Sequence, residues 1–160
     1  MQNRHIFCET IVEAPRAQVW EAWTTADGIR SFLAPACGIE LRPGGPYEIY
    51  FNPDAPEGLR GGDTLRILAF QAPEMLSFTW NAPPSLPQVR PHHTHVLLRF
   101  YEEGENRTRL TLTHDGWGSG GEWDEAFKYF SHAWPQIVLP RLQARFESGP
   151  IDWANPPQAS

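Results

Sequence analysis

EWDEAFKYFSHAWPQIVLPRLQARFES, residues 122–148, decides the fold. Trp123, Phe127, Phe130, Trp134, Ile137, Val138 and Leu142 return at helical intervals, which lays one apolar stripe along a long helix. Pro135 and Pro140 interrupt it. Each removes a backbone donor and crowds the preceding turn, so the axis is expected to bend there. A stripe this aromatic needs an apolar surface to cover it. Beyond Gly149-Pro150 the periodicity stops, and residues 150–160 read as a tail that frays unless Trp153 anchors it.

The covering surface lies upstream. His93–Tyr101 and Arg107–Asp115 alternate with a period of two, Val96, Leu98 and Phe100 sharing one face of the first strand and Leu110, Leu112 and His114 one face of the second. Across the acidic tip Glu102-Glu103-Gly104-Glu105, a solvated turn, the expected register sets Phe100 against Thr108 and Leu98 against Leu110. Both apolar sets then face the same side. Further back, Asp63–Gln71 and Met75–Trp80 make a second hairpin around Ala72-Pro73-Glu74. Ile39, Leu41 and Tyr47–Phe51 make another around Pro43-Gly44-Gly45-Pro46. His5–Glu13 is the first strand, with Ile6, Cys8, Thr10 and Val12 on one side. Two short helices follow it, one opened by Pro15 with Val19, Trp20 and Trp23, one after Thr25 with Ile29, Phe32 and Leu33. Asn52–Gly62 and the four-proline segment Asn81–Pro91 are loops, the second placed to cover a cavity mouth.

The order β-α-α-β-β-β-β-β-β-α predicts an α+β fold: a curved antiparallel sheet wrapped around the C-terminal helix, one domain over residues 1–149. With 160 residues, 41% apolar and 12% aromatic, the chain suits one dense core. A formal charge of −6 without a basic run argues against nucleic acid. No apolar run reaches the ~20 residues of a membrane span, and Met1–His5 leads into the first strand without an apolar signal region, so a cytoplasmic protein is expected. Cys8 and Cys37 lie far apart and read as reduced, small hydrophobic residues.

His92-His93-Thr94-His95 invites a metal reading, but strand parity turns His93 and His95 toward solvent. His92 and His114 share the inner face if the strand runs back that far, with no third ligand fixed beside them, so no metal and no cofactor are expected. His114 beside Asp115 is the best candidate for a general base, set against a histidine that only hydrogen-bonds a neighbouring loop. Glu48 and Tyr50 alternate away from the apolar side and read as surface residues. No nucleophile elbow, phosphate loop or dinucleotide fingerprint is present.

The motifs Ala14-Pro15-x-x-x-Val19-Trp20-x-Ala22-Trp23-Thr24, Pro43-Gly44-Gly45-Pro46-Tyr47, Leu76-Ser77-Phe78-Thr79-Trp80, Thr111-Leu112-Thr113-His114 and His132-Ala133-Trp134 occur in this order over nearly the whole chain. In that arrangement the chain resembles the START/SRPBCC superfamily, the helix-grip fold of the birch pollen allergen, and within it the proteins similar to the Hsp90 ATPase activator. It departs from them where Phe32 replaces a usual Trp and Ala133 the usual Gly before Trp134. The resemblance implies a cavity between sheet and helix, and the superfamily holds ligand carriers, polyketide cyclases and chaperone-binding modules.

Aromatic walls supply apolar area with few rotamers, so Trp80, Trp117, Phe127, Phe130 and Trp134 are candidates to line that cavity. Phe32, Ile49 and Phe51 join them from the helices and the first hairpin. Thr94, Val96, Leu112 and His114 join them from the last one. A small apolar or aromatic ligand is the first reading. The alternatives are a cyclase- or aromatase-like enzyme in which His114 is the base and Thr94 or Tyr47 orients a carbonyl, and a chaperone ATPase-stimulating domain. A homodimer is compatible with each.

Overall fold

A computed structural model of the chain describes residues 4–156. Strand β1 (Ile6–Val12) leads into helices α1 (Arg16–Thr24) and α2 (Ala26–Phe32). The Thr25 side chain accepts from the Gly28 N–H and so starts α2 where α1 stops. Gly28 is the hinge of the pair: a Cβ there would lie 2.2 Å from the Glu21 carbonyl oxygen, so only glycine lets the helices cross this closely.

Seven further strands follow: β2 (Ala36–Ile39), β3 (Tyr47–Tyr50), the two-residue β4 (Gly61–Gly62), β5 (Ile67–Gln71), β6 (Met75–Trp80), β7 (Thr94–Gly104) and β8 (Arg107–Asp115). They form a five-stranded antiparallel sheet in the order β1-β8-β7-β6-β5 and a three-stranded one in the order β2-β3-β4. The Tyr47 N–H to Leu65 O bond (2.9 Å) and the Pro46–Arg66 bridge join them into one curved surface.

Three expectations change in detail. The last hairpin pairs Phe100 with Leu110 and Leu98 with Leu112, two residues from the expected register, because β7 runs on to Gly104 and Arg109 holds Glu103 at 2.8 Å beside the tip. A shift of two keeps every side chain on its face, so the apolar sets still meet. The strand expected from Asp63 begins only at Ile67, since the Asp63 carboxylate binds the N–H groups of its own loop. The strand before Pro43 spans Ala36–Ile39 and leaves Leu41 exposed.

The C-terminal helix is α3 (Glu122–Ala133), a π turn (Trp134–Val138) and α4 (Leu139–Ser148). Pro135 lies inside the π turn and Pro140 at the second residue of α4, so this one irregularity accommodates both prolines. From Gly149 the chain lies on α2: Ile151 N–H donates to Ser31 O at 2.9 Å, and Trp153 Nε1 donates to Arg30 O at 2.6 Å. The last four tail residues, and Met1–Asn3 ahead of β1, lie outside the described residues. No helix among the described residues is long and apolar enough to cross a membrane.

Candidate functional site

Trp80, the last residue of β6, meets Trp134 at a ring distance of 5.1 Å and Phe78 at 5.7 Å, closing the centre of the grip. Beyond this plug, toward the loops, a cavity of about 580 Å³ remains. Its helical wall is Tyr129, Phe130, Ala133, Trp134, Ile137, Val138 and Arg141. The opposite wall comes from Phe51-Asn52 and Leu59-Arg60 in the β3–β4 connection and from Gly61, the first residue of β4, with Trp80-Asn81, Pro83-Pro84 and Leu33 closing the remaining sides.

The loop wall is shaped by one buried carboxylate. Asp63 accepts from the N–H groups of Gly58 (2.9 Å), Arg60 (2.8 Å) and Gly61 (3.0 Å), from Arg60 Nε (3.1 Å) and from an Arg90 terminal nitrogen (3.2 Å). Burial pushes its pKa up, yet the bonds from the Arg60 side chain and the three backbone donors outweigh burial and hold it below the usual value. Arg90 also donates to Ala82 O (2.6 Å) and Gly58 O (2.8 Å), tying the proline-rich loop to the same anchor.

His114 is fully buried on the inner face of β8. Trp134 Nε1 donates to its Nδ1 at 3.0 Å, and since an indole nitrogen only donates, Nδ1 is the acceptor and the ring proton sits on Nε2. Nε2 then donates to Thr94 Oγ1 at 2.6 Å, whose hydroxyl points to Trp80 O. Burial first, then the charge of His95, depresses its pKa to about 3. Both ring nitrogens are hydrogen-bonded, the Nδ1 lone pair to the Trp134 N–H, and His114 is not among the residues that line the cavity. Asp115 does not orient it either: its carboxylate faces His95 Nδ1 at 3.5 Å on the outer face.

A pH prediction follows from this neutral imidazole. Unfolded histidine titrates near 6.5, so between about pH 6.5 and 3 the unfolded chain binds the extra proton. Stability from His114 is therefore complete above pH 6.5 and lost on acidification, approaching ~1.4 kcal/mol per pH unit. His93, whose pKa is also lowered by burial, acts in the same direction. Urea unfolding from pH 8 to 4 should show a shallower acid slope for His114→Gln than for the native chain. Equal slopes would mean that His114 is not held neutral.

Of the wall residues expected from sequence, Phe51, Trp80, Phe130 and Trp134 line the cavity. Ile49, Val96 and Leu112 are wholly buried core, and Phe32 packs edge-on against Trp23 at 4.9 Å, away from the wall. Thr94 serves the His114 chain. Trp117 and Phe127 pack together at 5.3 Å, with the Arg4 guanidinium over Phe127 at 4.7 Å. Tyr47, the suggested carbonyl partner, donates instead to Trp23 O at 2.7 Å. Sequence reasoning missed Leu59, Arg60, Tyr129 and Arg141. Arg141 was signalled, since it stands one heptad after Trp134 on the stripe of Ile137 and Val138.

The histidine cluster disperses. β7 starts at Thr94, so His92 lies outside the strand, exposed, 6.3 Å from the Trp123 ring, and does not share a face with His114. His93 Nε2 meets Thr64 Oγ1 at 3.1 Å. Among the described residues no three His, Cys, Asp or Glu side chains come together as metal ligands would. Cys8 and Cys37 are half-buried free thiols, and burial pushes Cys8 up to about 11.

A curved antiparallel sheet gripping a bent C-terminal helix, with a cavity at one end of the grip, defines a helix-grip domain of the SRPBCC type. Residues 13–147 match the family described as Activator of Hsp90 ATPase homolog 1-like protein, and the chain belongs to that family. No curated protein matches it by sequence. Among experimental structures it is similar to MLL2253 from Mesorhizobium loti, at 19% identity and a TM-score of 0.70 over 90% of this chain and 97% of that one. The Aha1 dimer from Colwellia psychrerythraea shares 18% identity with a TM-score of 0.68, over 91% and 98%. DynU16, of the dynemicin biosynthetic locus, gives 18% and 0.68, over 93% of this chain and 49% of that one. Identities this low carry the fold and leave the activity to the site.

Proposed function

We propose that the protein binds a small apolar or aromatic molecule in the cavity between its C-terminal helix and the sheet. One observation carries the reading: Phe51, Leu59 and Tyr129, 45%, 48% and 51% exposed, converge on the mouth of a cavity whose floor is Trp80 and Trp134. Large apolar side chains held in water around a concavity mark a surface that a ligand covers, at ~25 cal/mol per Å² removed from water. The volume falls within the roughly 300–1,000 Å³ of small-molecule pockets.

The wall bears on the alternatives. Its titratable side chains are Arg60, Arg141 and the Tyr129 phenol, with no carboxylate, histidine or cysteine to take a proton near neutral pH, which favours binding over cyclase-like turnover. Family membership supports a second reading, stimulation of an Hsp90 ATPase, which an ATPase assay with added chain measures directly.

Native mass spectrometry of the chain purified from its source should show a bound small molecule. Ala133→Trp, which projects an indole into the cavity from α3, should lose it while remaining folded. An empty native protein whose melting temperature no apolar compound raises would sink the proposal.

A further inference from the structure

We infer that the ligand of this cavity carries a hydroxyl on an otherwise apolar or aromatic frame, and that Asn81 selects it by accepting a hydrogen bond from that hydroxyl. The inference rests on the cavity being a ligand site. Asn81 follows Trp80 at the end of β6 and is only 6% exposed. It lines the main cavity and also, with Leu59 and Pro84, an adjoining hollow of about 330 Å³ that Asp63, Pro87 and Pro91 help to enclose.

The amide is fixed from one end. Its Nδ2 donates to the Asp63 main-chain carbonyl at 3.2 Å, and because only the nitrogen of an amide can donate to a carbonyl, the oxygen is the other branch. Asp63 borders the smaller hollow and not the main cavity, so the nitrogen is spent on that side and the oxygen branch is the one left for the cavity. No donor among the described residues meets Asn81 Oδ1. Nor is it sealed: among the described residues the side-chain polar atoms that are both enclosed and unpaired are nitrogens of Arg4, Arg16, Trp23 and Arg145. An acceptor covered by a wholly apolar ligand would lose hydration with nothing in return, whereas a ligand hydroxyl restores the missing bond. The other polar side chains of the wall do not take this role. Arg60 is ion-paired with Asp63 over the Tyr50 ring, Arg141 has a partner of its own, and a guanidinium offers no acceptor in any case. Asn52 and Tyr129 are exposed to water.

An alcohol and its methyl ether share one carbon frame, and the ether, with an extra methyl and no donor, is favoured by apolar area alone. Tighter binding of the alcohol therefore needs an acceptor in the wall. Calorimetric titration of the native chain with 4-phenylbutanol and with its methyl ether reads this difference. The alcohol should bind on the order of tenfold tighter, as in sites built to hydrogen-bond a ligand hydroxyl. Asn81→Leu keeps the shape and deletes the acceptor, so it should abolish the preference while still binding the ether. If loss of the Asp63 contact unfolds Asn81→Leu, then Asn81→Gln keeps the amide and moves its oxygen by one methylene, and it should reduce the preference in the same direction. Equal affinities in the native chain, or a tighter ether, would overturn the hydroxyl while leaving the ligand site standing. A preference that survives undiminished in a folded Asn81 variant would overturn Asn81 as its acceptor. Failure of both compounds to bind the native chain would overturn the ligand site and this inference with it.

Discussion

Trp134→Ala is expected to destabilise the protein by about 3–5 kcal/mol, the range for emptying a large aromatic position in a core. Trp134 is 1% exposed and closes the centre of the grip against Trp80 and Phe130. Its removal joins the plugged centre to the existing cavity, so ligand preference should move toward larger molecules. The indole N–H is a separate loss, because it leaves the buried His114 Nδ1 without its donor. Trp134→Phe separates the two effects. It keeps an aromatic ring while deleting the N–H and part of the indole's volume, at an expected cost of about 1–3 kcal/mol. Urea unfolding should rank the native chain above the Phe variant and the Phe variant above Ala. If Trp134→Ala were as stable as the native chain, the indole would not be closing the centre of the grip.

The faces of β7 and β8 were legible because a period of two survives an error of two in register: Val96, Leu98, Leu110 and Leu112 point inward whichever pairing holds. The same parity could not tell where the grip is filled and where it is hollow. Val96, Leu112 and Ile49 are inward and belong to solid core, whereas Phe51, expected in the strand but lying just past the end of β3, and Leu59, on a loop without periodicity, edge the cavity. That distinction depends on how closely Trp80 and Trp134 approach, a distance set by the π turn. Pro135 announced an irregularity at this place, though not one that widens the helix instead of breaking it. Asp115 was expected to orient the His114 imidazole, but neighbours along a strand face opposite ways, and its carboxylate meets His95 instead. Arg60 falls in the expected loop and Asp63 at the start of the expected strand, with no sequence pattern that links them. Their role emerges only once three backbone amides turn toward the carboxylate.

Asp63→Ala is the second large effect, at about 3–5 kcal/mol, because it strips the partner from a buried charge. The Arg90 side chain is 11% exposed and loses its carboxylate, while the N–H groups of Gly58, Arg60 and Gly61 lose their acceptor. The damage should be local before it is global, since these amides shape the wall that carries Leu59, Arg60 and Gly61. Hydrogen exchange at those three amides should be slow in the native chain and fast in the variant, with β7 and β8 protected in both. Asp63→Asn, which keeps one acceptor oxygen without the charge, should fall between them. The acid response separates this anchor from His114. The lowered pKa of Asp63 means its contribution is complete above the unfolded value of 3.8 and lost only as pH falls through the still lower folded value. His114 begins to act from pH 6.5 downward, so stability should decline first through the imidazole, with the wall amides losing protection only below about pH 4. Unchanged exchange at Gly58, Arg60 and Gly61 in Asp63→Ala would show that the loop holds its shape without the carboxylate, and the cavity wall would need another anchor.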